Sequence, residues 1–134
     1  MHIEHVAIWT HDIERLRAFY ADYFEAEAGR LYTNPTTGFR SYFLRFEAGA
    51  RLELMQMPGI PASRNDAETQ YTGYVHLALT AGNAATVDAL TGRLRAAGQR
   101  ILGEPRWTGD GYYESVILDP DGNRVEIVAE RGLS

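Results

Sequence analysis

The stretch "GNRVEIVAE", residues 122–130, sets an acid in the middle of an apolar run. Val125, Ile127 and Val128 surround Glu126, and burying an unpaired carboxylate is expensive. A short strand of this kind needs a reason to carry its charge. The reason lies in a second copy of the pattern.

Residues 41–55, "SYFLRFEAGARLELM", align with residues 114–128, "ESVILDPDGNRVEIV", at an offset of 73. Gly49 falls on Gly122, Arg51 on Arg124, Leu52 on Val125, Glu53 on Glu126 and Leu54 on Ile127. The openings match as well: "EHVAIWTHDIERL" from Glu4 lies on "VHLALTAGNAATV" from Val75 at an offset of 71, which sets His5 on His76. Internal repeats of this kind announce repeated structural units. The chain reads as one domain, residues 1–134, made of two modules at about 1–58 and 73–131. The turn-rich segment "PGIPASRNDAETQYT", residues 58–72, joins them. Each module opens with a strand that carries His and closes with one that carries Glu.

Between those strands each module has room for one helix. Asp12 is a plausible N-cap, Ile13, Leu16, Tyr20 and Phe24 form an apolar stripe, and the helix is expected to end near Gly29. In the second module Asn83 caps, Val87, Leu90 and Leu94 form the stripe, and Gly98 is the stop. Three strand-like runs follow each helix, near 30–34, 39–46 and 50–57, and near 99–107, 112–118 and 124–130. The expected order is βαβββ, twice.

Alternate residues of a strand point to opposite sides. Val6 and Ile8, Val75, Leu77 and Leu79, Leu52 and Leu54, and Val125 and Ile127 form aliphatic faces suited to the helix stripes. His5, Glu53, His76 and Glu126 then share the other face. Two imidazoles and two carboxylates make a divalent-metal set, and coordination would pair the charge of Glu126. Donors of this kind, without sulfur, suit Zn, Ni, Mn, Co or Fe. The bland alternative is that each His–Glu pair satisfies itself at a dimer interface. Trp9 and Met55 on the same face line either an apolar pocket or that interface. Arg51 and Arg124 meet either an anionic substrate or the neighbouring glutamates.

Composition narrows the classes further. The net charge is −5 with no basic block, which argues against a nucleic-acid partner, and there is no cysteine, which rules out disulfides and thiolate ligands. No run approaches the roughly 20 apolar residues of a membrane span. The N-terminus lacks the build of a signal peptide, so the expectation is a cytoplasmic protein with a small-molecule substrate.

The sequence resembles the vicinal oxygen chelate superfamily, which includes glyoxalase I, bleomycin-resistance proteins and extradiol dioxygenases. "HVAIWTHDIERLRAFY", "VHLAL" and "DPDGNRVEIV" carry the resemblance, over nearly the whole chain. It implies an α+β fold, with two βαβββ modules forming a mixed-sheet half-barrel around a metal and helices on the outer face. That half-barrel is often completed across a homodimer. His5, Glu53, His76 and Glu126 match the metal set of bacterial glyoxalase I. The implied activity is a lactoylglutathione-lyase-like lyase or isomerase acting through an enediolate, with Glu126 and then Glu53 moving the proton. Trp9 and Met57 stand where that enzyme commonly has Arg and Asn. Its pocket is therefore expected to be more apolar, with Tyr112 and Tyr113 near it. A binding or antibiotic-resistance protein of the same fold is the alternative, and an Fe(II) dioxygenase a more distant one.

Overall fold

The computed structural model describes residues 1–132, so the last two residues of the expected domain lie outside the described residues. The chain divides into two compact units, Met1–Ser63 and Arg64–Ser134. Each unit is an open mixed sheet with one helix packed on one face, an α+β arrangement.

The first unit runs β1 (His5–Trp9), α1 (Ile13–Phe24), β2 (Glu27–Ala28), β3 (Tyr32–Thr33), β4 (Arg40–Arg45) and β5 (Arg51–Gln56). Its strands lie in the order β1-β5-β4-β2, with β3 also paired to β4. β1 is parallel to β5, and the other pairings are antiparallel. The second unit runs β6 (His76–Thr80), α2 (Ala84–Ala96), β7 (Ile101–Trp107), β8 (Tyr113–Leu118) and β9 (Arg124–Val128). Its order is β6-β9-β8-β7, again with the opening strand parallel to the closing one.

The helices begin where the caps predict. Asp12 Oδ1 accepts from Arg15 N at 3.1 Å, and Asn83 Oδ1 accepts from Thr86 N at 3.0 Å. These bonds satisfy amides that a helix start leaves without partners. The stripes are buried as expected, with Phe19 added in α1 and Thr91 in α2, while Phe24 is only half-buried. Ile13, Leu16, Tyr20, Leu44 and Leu54 are at most 1% exposed, as are Val87, Leu94, Val125 and Ile127. Each fully buried side chain of this size contributes about 1.5–3 kcal/mol.

Two boundaries differ from expectation. α1 stops at Phe24 rather than near Gly29, because Glu25 takes a left-handed conformation with φ 56 and the next amide, Ala26 N–H, donates to the Tyr20 carbonyl at 3.2 Å. The strand expected at 30–34 is shortened to β3, an unexpected strand β2 precedes it, and both pair with β4. Leaving the helix early frees Glu27 and Ala28 to meet Arg45 and Leu44.

The turns into the closing strands are alike. Gly49 has φ 83 and Gly122 has φ 85, a region where residues with a Cβ are strained. In the second turn the buried Asp119 accepts from Asp121 N and Asn123 N, each at 2.9 Å. Among the described residues no helix is long and apolar enough to cross a membrane.

Candidate metal centre

Strand pairing puts each imidazole next to its carboxylate. In the first unit His5 lies opposite Arg51 and Ala7 opposite Glu53; in the second His76 lies opposite Arg124 and Ala78 opposite Glu126. The two registers are the same at every equivalent position. α1 packs on β4 and β5, and α2 on β7, β8 and β9. His5 and Glu53, and His76 and Glu126, therefore occupy the face of each sheet that the helix leaves open.

His5 Nε2 lies 3.6 Å from Glu53 Oε1, and His76 Nε2 lies 3.4 Å from Glu126 Oε1. Those separations exceed the usual N–H···O range of about 2.7–3.2 Å. The donor types, imidazole nitrogen and carboxylate oxygen, are ones a divalent ion takes. Among the described residues no three His, Asp or Glu side chains are placed to hold a metal. Each unit offers a donor pair whose type fits a divalent ion.

The surroundings orient these donors. His5 Nδ1 is 3.2 Å from Glu4 Oε1. A proton held there leaves Nε2 as the electron-pair donor, the arrangement that fixes metal-binding histidines elsewhere. The Glu4 carboxyl is itself held below its ordinary value, first by the hydrogen bond from Arg51. Phe43 meets the His5 ring edge-on at 5.3 Å, and the Arg51 guanidinium sits 4.1 Å from the centre of the Phe43 ring. Arg51 is thus engaged by Glu4 and Phe43, so its charge is already answered.

Trp9 is 40% exposed, stands opposite Met55 and meets Phe39 edge-on at 6.0 Å. Met57, just beyond β5, lines a separate hollow in the first unit with His11, Arg40 and Gln56. Tyr113 turns away from the glutamate face: its hydroxyl donates to Asp88 on α2 at 2.6 Å. Tyr112 carries the Arg131 guanidinium 4.3 Å above its ring. Arg124 donates from Nη1 to the Ala67 carbonyl at 2.6 Å.

Glu114 is the residue that sequence reasoning missed. It is only 8% exposed, lies beside Glu126, and its Oε2 has no hydrogen-bond partner. Burial pushes its carboxyl above the ordinary value, and the negative charge of Glu126 pushes it further. The signal was present, because "YYESVIL" holds an acid in an apolar strand just as "RVEIV" does.

A family model described as Glyoxalase/Bleomycin resistance protein/Dioxygenase superfamily matches residues 2–127. The chain belongs to this superfamily. Within the glyoxalase/bleomycin resistance protein/dioxygenase superfamily it is similar to the uncharacterized protein YqjT of Bacillus subtilis (strain 168). The two are 29% identical, over 95% of this chain and 98% of YqjT. The fold is similar to that of the trypanothione-dependent glyoxalase I of Leishmania major, with a TM-score of 0.76 and 22% identity over 98% of this chain and 88% of that one. A superfamily domain from Frankia sp. EAN1pec gives a TM-score of 0.79 at 17% identity, over 98% of both chains. At such identities the likeness of structures speaks for the fold alone.

Proposed function

We infer that this superfamily member is a metal-dependent lyase or isomerase of glyoxalase-I type. It would shift a proton between adjacent carbons of a small oxygenated substrate. The observation that carries the reading is the pair of equivalent His–Glu contacts, at 3.6 Å and 3.4 Å, in identical strand register. The recurrence of the pair in both units, with donor types that suit a divalent ion, supports the reading. His5 and Glu53 in the first unit, and His76 and Glu126 in the second, are the proposed divalent-metal ligands.

Bound there, such an ion supplies Lewis-acid stabilisation of negative charge on the substrate's oxygens. The protein's own groups do the rest. Glu126, with Glu53 second, takes the proton from one carbon and returns it to the next, a task for a carboxylate held at the reacting atoms. Trp9 and Met55 present apolar surface beside Glu53 and favour a substrate with an apolar portion. β1 and β6 are the outer strands of their sheets, and Val6, Trp9 and Val75 are each 37–40% exposed near those edges. Exposed apolar edges favour a homodimer. The proposed setting is the cytoplasm.

The test is metal content per chain, by mass spectrometry, for protein purified without chelator or affinity tag, beside His76→Ala. About one divalent ion per chain, lost in the variant, supports the reading and leads to screening hemithioacetals of several thiols. Failure to take up Ni²⁺ or Zn²⁺ when offered would end it.

A further inference from the structure

β7 leaves regular pairing twice, between Ile101 and Gly103 and between Gly103 and Arg106. Pro105 falls in the second irregular stretch, where it has no ladder bond to forfeit. Bulges of this kind re-aim side chains. The result here is a hollow of about 540 Å³ within the second unit, lined by Arg100, Gly103, Arg106, Val116, Arg124 and Glu68, among others. Gly103 keeps it open: a Cβ there would lie 3.4 Å from Val116 Cγ2 and 3.5 Å from Arg106 Nη1, so a longer side chain would fill the space.

Three guanidiniums line this hollow. Arg100 is paired with Glu68. Arg106 Nη1 donates to the Glu114 carbonyl at 3.2 Å, and Arg124 Nη1 to the Ala67 carbonyl at 2.6 Å. Backbone carbonyls fix the direction of a guanidinium and leave its positive charge in place. The Glu114 carboxyl lies close enough to Arg106 to feel that charge. Arg124 Nε is buried without a hydrogen-bond partner. A buried donor left unmade costs about 1–3 kcal/mol, so an acceptor belongs there.

The strand pairings place this charge. Arg124 and Glu126 alternate on β9, and Arg106 stands opposite Glu114 on β8, so both arginines share the sheet face of His76 and Glu126. We propose that the hollow is an oxyanion subsite, in which Arg106 and Arg124 hold a carboxylate or phosphate group of the small molecule whose reacting end lies at His76 and Glu126. The planar fork of arginine suits both groups through paired N–H···O bonds. Only the position of the reacting end rests on the proposed function; the anion site stands on the arginines themselves.

The test is calorimetric titration of the full chain, freed of metal by chelator and dialysis, with inorganic phosphate in one arm and malonate in the other. The expected result is saturable binding of one anion per chain, weakened about tenfold by Arg106→Gln and by Arg124→Gln and unchanged by Arg45→Gln. The stronger arm names the source group. Arg124 also holds the Ala67 carbonyl; should its variant fail to fold, Arg106→Gln decides. Absence of saturable binding in both arms, or equal affinity in Arg106→Gln and the parent, overturns the subsite. The same samples are assayed for Ni²⁺ uptake. Metal without anion removes only this inference, and anion without metal removes only the lyase reading.

Discussion

His76 Nε2 and Glu126 Oε1 stand 3.4 Å apart on parallel neighbouring strands, and neither atom closes to a direct hydrogen bond. If an ion belongs between them, each donor matters separately. Replacing any one of His5, Glu53, His76 or Glu126 is expected to weaken divalent-metal binding at least tenfold, about 1.4 kcal/mol. Competition with a chromogenic chelator measures this. Full affinity in two different single variants would remove the four-ligand set.

Glu114 gives a prediction of opposite sign. Its buried carboxyl has one oxygen without a partner and faces a second carboxylate. Glu114→Gln replaces a like charge with an amide that can donate to Glu126. The metal-free variant should gain about 1 kcal/mol at neutral pH, read from urea midpoints in the presence of chelator. A loss of stability would mean that the carboxylate is needed for the fold.

The Tyr42 hydroxyl donates to Glu14 Oε1 at 2.6 Å and is the first cause of that carboxyl's lowered pKa. A depressed carboxylate stabilises the fold above its unfolded value, and the contribution disappears as pH falls through the folded value. Tyr42→Phe should therefore destabilise at neutral pH and converge with the parent once pH drops well below the ordinary 4.5. Glu14 is half-exposed, so the neutral-pH difference should stay under about 1 kcal/mol. A gap that persists undiminished in acid would assign the effect to packing instead.

Backbone conformation offers a matched pair. Gly122 has φ 85 and Glu25 has φ 56. Gly122→Ala should cost about 1 kcal/mol, while Glu25→Gly should gain a similar amount by relieving the helix C-cap. Thermal and urea unfolding of both variants checks the signs. The same sign for both would discard the conformational argument.

Most of the fold was legible because the repeat and the strand alternation agree: the faces assigned to Leu52 and Leu54, and to Val125 and Ile127, are those the helices cover. The early end of α1 was not legible, because a glutamate carries no mark of the left-handed turn it adopts. Of the candidate site, the two His–Glu contacts could be anticipated from the repeat; Glu114 could be found only from its own apolar strand, since a repeat exposes only what both halves share, and Ser41 fills the equivalent position in the first. Glu4 escaped for a similar reason. It lies one residue before β1, outside the alternation that sorted the strand, yet it reaches both His5 and Arg51.

The parallel pairing of each opening strand with its closing strand also orders events during synthesis. Among the described residues β1 has no neighbour in its sheet except β5, and His5 waits for Arg51, 46 residues later, before its ladder can form. At about 5–20 residues per second that is roughly 2–9 s of translation. The second unit repeats the delay, since His76 waits for Arg124. A growing chain thus twice carries an opening strand with no partner, and each gains one only as the glutamate-bearing strand leaves the ribosome.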